Sequence, residues 1–134
     1  MTRLSSFTFG AALPGPIPEV RPRVEAALKA EGFGVLTEID VQATLKAKLG
    51  VDRAPMVILG ACNPRLANAA IEEDAAVGAL LPCNVVLREQ DGGTLVEIID
   101  PLMMLGVLEA PSVQPIADEA RERLDRVVIA LTTD

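Results

Sequence analysis

The sequence predicts an α+β fold in which a mixed β-sheet is covered mainly by helices on one face. Three observations carry that expectation. Apolar residues step by three and four within residues 19–31 and 116–131, which marks two amphipathic helices. Residues 83–89 and 94–99 flank Gln90-Asp91-Gly92-Gly93 and read as a hairpin. The remaining strands are joined through helical segments, so hairpin and crossover connections occur in one chain. No repeat, low-complexity tract or linker divides the 134 residues, which predicts one domain over residues 1–134.

Taken in order, residues 5–10 predict a short strand with Phe7 and Phe9 on one side, and the proline-rich residues 11–18 predict a loop. The first helix starts at about Glu19 or Pro22 and ends at Glu31; Val20, Val24, Ala27 and Leu28 share its apolar face, and Gly32 suits the position after its end. Residues 33–39 alternate as a strand. Asp40 is then a natural N-cap for a helix over 41–49, with Val41, Leu45 and Leu49 on one side and Gly50 after it. The continuous apolar run 55–61 predicts a central strand covered on both faces. Asn63 followed by Pro64 is a compact helix start, N-cap then N1, for a helix reaching about Glu73. Asp74 caps a further short turn that Pro82 ends, and Asp100-Pro101 closes the second arm of the hairpin. Residues 103–108 fit either a short helix or a loop. In the last helix Ala117, Ala120, Leu124, Val127 and Leu131 form one stripe, while Glu119 with Arg123 and Glu122 with Arg126 are spaced as ion pairs on the wet side.

Composition removes several function classes. Twelve basic residues face nineteen acidic ones, a net charge of −7, so phosphate backbones and anionic membranes are poor partners. With three Phe and neither Trp nor Tyr, few side chains can stack on bases or sugars. No run approaches a membrane span and the N-terminal segment is too short and interrupted for a signal peptide, which makes the cytoplasm the expected location. The absence of histidine excludes Ser-His-Asp and Cys-His catalysis and the usual zinc ligand sets.

The distinctive chemistry is a pair of Cys-Asn dipeptides, Cys62-Asn63 and Cys83-Asn84. One leaves a strand and enters a helix; the other opens the next strand, so the topology can bring both thiols to one end of the sheet. Cys62 precedes a helix N-terminus, where free N–H groups and the dipole favour a thiolate or a bound anion, and each Asn is placed to donate a hydrogen bond to a ligand. This makes Cys62, Asn63, Cys83 and Asn84 the candidate binding or redox residues, for a small anion, a sulfur species or a soft metal. The competing functional reading is a thiol enzyme with Cys62 as nucleophile, which requires a carboxylate or amine as base. The structural reading places both thiols in the core, with Asn63 as cap and Asn84 as a turn or strand-start residue. No CxxC spacing exists to hold zinc. Asp40, Asp74 and Asp100 are explained as caps. Met103-Met104, between Leu102 and Leu105, reads as core or subunit contact.

The strings Gly32-Phe-Gly-Val-Leu-Thr-Glu-Ile-Asp40, Ile58-Leu-Gly-Ala-Cys-Asn-Pro64, Leu80-Leu-Pro-Cys-Asn-Val85 and Ile99-Asp-Pro101 resemble the family catalogued as domain of unknown function 302, best over residues 32–101. That resemblance implies a two-layer β-α-β(4)-α arrangement of the TATA-binding-protein-like class, usually as a homodimer, and assigns no activity or cofactor. Both Cys-Asn positions match the family motif. Met56 stands where members often carry Tyr, and the segment 14–22 matches poorly.

Overall fold

The computed structural model describes residues 2–133. In chain order the elements are β1 (Thr2–Arg3), β2 (Thr8–Pro14), α1 (Ile17–Ala30), β3 (Gly34–Asp40), α2 (Val41–Leu49), β4 (Met56–Cys62) and α3 (Pro64–Glu73). A 3-10 turn (Ala75–Leu80), β5 (Cys83–Gln90), β6 (Gly93–Ile99), α4 (Pro101–Gly106), a second 3-10 turn (Pro111–Val113) and α5 (Gln114–Thr132) complete it.

The strands form one sheet in the order β1-β2-β6-β5-β4-β3. Among the described residues every hydrogen-bonded pair is antiparallel, so the expected mixed character survives only in one connection. The crossover through α1 joins β2 and β3, which point the same way. Three alternating strands lie between them, and no parallel pair forms.

Strand alternation turns Phe9, Leu59, Val85, Leu87, Val96 and Ile98 to one side, where they meet Val20, Val24 and Leu28 of α1 and Leu124, Val127 and Val128 of α5. Full burial of each such side chain contributes roughly 1.5–3 kcal/mol. The apolar stripe predicted for the last helix is buried at all five positions. Beside this core a second cluster, Ala70, Val77, Leu105, Val113 and Ala117, holds α3, α4 and the 3-10 turns against α5.

Several expectations are corrected. The predicted loop over 11–18 is strand as far as Pro14, because Ala11 and Leu13 continue the buried alternation begun by Phe9 and the whole stretch pairs with β6. Gly10 permits that close approach: a Cβ there would fall inside the Val96 carbonyl. Phe7 precedes the strand and is exposed, so it does not share the side of buried Phe9. β4 is covered on one face only; Val57, Leu59 and Ala61 are buried, while Met56 and Ile58 are half-buried on the other. α2 begins and ends where expected, capped by Asp40 and stopped by left-handed Gly50, yet buries none of its residues. Its apolar spacing reports contact with β3 and β4 at the sheet margin, not with the core. Finally, Glu119 pairs with Arg123 at 2.9 Å, but Arg126 turns to Glu31 instead of Glu122.

Candidate functional site

β4 and β5 run antiparallel with Ala61 opposite Cys83, which places Cys62 next to that pair. Register therefore sets the two Cys residues side by side at one end of the sheet, with Cys62 the last residue of β4, where the chain leaves the sheet for α3. Both line one cavity of about 30 Å³, closed by Phe33, Leu66, Leu81, Leu105 and Ile116 among others. The space suits an ion or roughly two water molecules, not a metabolite. Cys62 is half-buried and Cys83 buried, and neither is in a disulfide.

Both thiols are held in the neutral form. Burial pushes Cys83 up to about 11, and the nearby Cys62 adds to the rise. Burial also pushes Cys62 up. The α3 N-terminus was expected to favour a thiolate there; burial moves the thiol the other way. No carboxylate, amine or guanidinium lines the cavity, so no base stands beside Cys62.

Of the two asparagines, Asn63 lines the cavity with the thiols and Asn84 does not. Asn63 is buried and its two polar atoms are both engaged: its Oδ1 accepts from Leu66 N at 3.2 Å and its Nδ2 donates to Glu31 O at 3.4 Å. It caps α3 and ties it to the end of α1. Pro64 has no N–H, Leu66 N is taken by the cap and Ala67 N bonds Asn63 O, which leaves the helix start little to offer an anion. Asn84 follows Cys83 on a strand and consequently points to the opposite face. It lines a separate open groove of about 440 Å³ with Phe7, Met56, Pro82, Val86 and Ile99. On the floor of that groove Glu97 accepts from Thr8 Oγ1 at 2.7 Å and pairs with Arg88 at 2.9 Å; burial works against its charge, but these partners keep its carboxyl below the ordinary range.

The capping carboxylates stand where predicted. Asp40, Asp74 and Asp100 accept from Ala43 N, Ala76 N and Leu102 N, each at 2.9 Å. Asp100 does more than its sequence context indicated. It is buried, and its Oδ2 accepts from Arg3 at 2.7 Å and from Arg121 at 2.6 Å. Burial alone would raise its pKa; the bonds from Arg3, Leu102 N and Arg121 reverse that and hold it below the ordinary carboxylate range. Arg121 also lies over the Phe9 ring, 4.4 Å from its centroid. Sequence reasoning missed this centre because its members come from the first strand, the hairpin exit and the last helix. It also missed Met104, which lines the thiol cavity and the open groove alike.

A family model described as domain of unknown function DUF302 matches residues 9–131. The chain belongs to the DUF302 family. This DUF302 domain is similar to the crystal structure of an uncharacterized conserved protein DUF302 from Bacillus stearothermophilus, at 34% identity and a TM-score of 0.86. That likeness covers 94% of this chain and 98% of the other, and it supports the two-layer, TATA-binding-protein-like α+β arrangement. No curated protein matches the chain. Among the described residues of the DUF302 domain, no helix is long and apolar enough to cross a membrane.

Proposed function

We propose that this DUF302 domain is a non-enzymatic binding protein whose Cys62 and Cys83 thiols form one site for a small soft species, a sulfur compound or a metal ion. The observation that supports this reading is the shared cavity, in which, among the described residues, neither thiol is in a disulfide. Buried side-chain nitrogens and oxygens in the described residues all have partners. Two free thiols lining one space are thus the groups with binding capacity to spare. An enzyme using Cys62 as nucleophile has less support, since the cavity supplies neither a base nor a thiolate of lowered pKa. Asn63 and Asn84 drop out of the site as cap and opposite-face residue.

As one domain in a reducing cytoplasm the pair stays available as thiols. The chain acts as a homodimer through its uncovered sheet face. Ile39 is exposed there, beside half-buried Met56, Ile58, Val86 and Ile99. Ile58→Lys is expected to give a monomer in sedimentation equilibrium; an unchanged mass sinks this interface.

For the site itself, alkylation of the native protein with a small neutral reagent is followed cysteine by cysteine, with Cys62→Ser and Cys83→Ser as references. The site reading expects Cys62 to react slowly without unfolding and Cys83 to follow once the cavity is entered. If both react only at the rate of global unfolding, the thiols are core residues and the binding reading is wrong.

A further inference from the structure

Resting on the thiol-site reading above, we propose that the cavity is a three-sulfur site for a soft monovalent metal ion, Cu(I), with Met104 as the third donor. Besides Cys62, Cys83 and Asn63, its lining consists of hydrocarbon side chains and Met104. Asn63 is held by Leu66 N and Glu31 O, and its amide is a hard donor that a soft ion does not prefer. The lining residues that carry a soft donor are Cys62, Cys83 and Met104, two thiols and one thioether, a donor set that selects Cu(I) over harder ions. Zinc is poorly served, because it takes four nitrogen, sulfur or oxygen ligands, the chain has no histidine, and no group of three or more Cys, Asp or Glu gathers among the described residues. The volume of about 30 Å³ points the same way, since it accommodates an ion stripped of water.

The thioether has a further use in so apolar a space. Two ligating thiols each lose a proton when the ion binds, which leaves one net negative charge on the metal and its thiolates. A third thiolate would add another buried charge, whereas methionine adds a bond and none. Met104 is also well held. Asp100 caps α4 through Leu102 N, and Met104 N donates to Asp100 O at 2.9 Å, so the charged Asp100 centre fixes the turn that carries the thioether. Because Met104 borders both the cavity and the open groove of about 440 Å³, it stands where an ion would pass between them. Met103, its neighbour, is exposed and lines neither.

The test is an anaerobic titration of the reduced protein with Cu(I) in competition with a chromogenic chelator, joined to X-ray absorption of the loaded protein. Wild type and Met103→Leu are expected to take one ion per chain with three sulfur neighbours. Met104→Leu keeps the side-chain volume, and is expected to bind about tenfold more weakly with two sulfur neighbours. Cys62→Ser and Cys83→Ala are expected to lose binding. If Met104→Leu matches wild type in affinity and sulfur count, the role of Met104 is overturned while the thiol site stands. If wild type takes up no Cu(I), or the cysteine variants bind as it does, the metal site is overturned as well. Reactivity of the native thiols toward alkylation then decides separately whether they form a site at all.

Discussion

Asp100 and Cys83 are buried at the same end of the sheet, one at the exit of β6 and one at the entrance of β5, and their surroundings are opposites. Asp100 is ionised, and each of its polar contacts is satisfied by Arg3, Arg121 or Leu102 N. Cys83 is neutral and surrounded mainly by hydrocarbon, and burial is the first cause of its raised pKa. A buried charge persists only where the protein answers it in full, and once answered it has nothing left for a ligand. A buried thiol needs no answer. It keeps its binding capacity, which is why the quieter of the two centres is the better candidate for function.

That contrast predicts variants of unequal severity. Asp100→Ala removes the acceptor shared by Arg3 and Arg121 and the α4 cap, while Arg121 keeps Asp125, so it should lower unfolding free energy by roughly 1.5–3 kcal/mol in urea. A loss below about 1 kcal/mol would mean that the centre is not structural.

The two groups also give pH dependence of opposite sense. Asp100 has a depressed folded pKa, so its contribution is present above its unfolded value near 3.9 and is lost as pH falls through the folded value. Cys83 is raised from 9.0 to about 11, so the folded state retains its proton longer. Stability is then complete below about pH 9 and falls between there and 11, by roughly 2–3 kcal/mol from this thiol. Denaturation midpoints across that alkaline window should slope downward in wild type and flatten in Cys83→Ala. A slope unchanged by the substitution assigns it to other groups.

The smallest effect belongs to the neighbour of the site. Asn63→Ala should cost about 1 kcal/mol, the value of a helix N-cap, without changing the reactivity of Cys62. A large change in reactivity would return Asn63 to the site.

How much of this was legible in the sequence depends on range. The helix start at Asn63-Pro64, the α5 stripe and the hairpin rest on contacts within a few residues, and all three form as read. The extent of β2 was hidden because Pro14 and Gly15 are local loop signals, while its pairing with β6 is a long-range fact. The exposure of α2 was hidden for the same reason: spacing shows which side is apolar, not whether anything covers it. Cys62 and Cys83 were rightly brought to one end of the sheet. The opposite orientation of Asn84 was readable, since consecutive strand residues face opposite ways. Arg3, Asp100 and Arg121 meet from three distant segments, and no local pattern announces them. Met104 likewise joins the cavity only through the docking of α4.

The central claim is that Cys62 and Cys83 face one space and act as one site. It is tested most directly by adding one equivalent of Ag(I) to the reduced, folded protein and following alkylation of each cysteine by mass spectrometry. The account predicts that a single ion protects both cysteines together and that the excess reagent required to displace it is the same for each. Protection of Cys62 alone, or of neither, would contradict it.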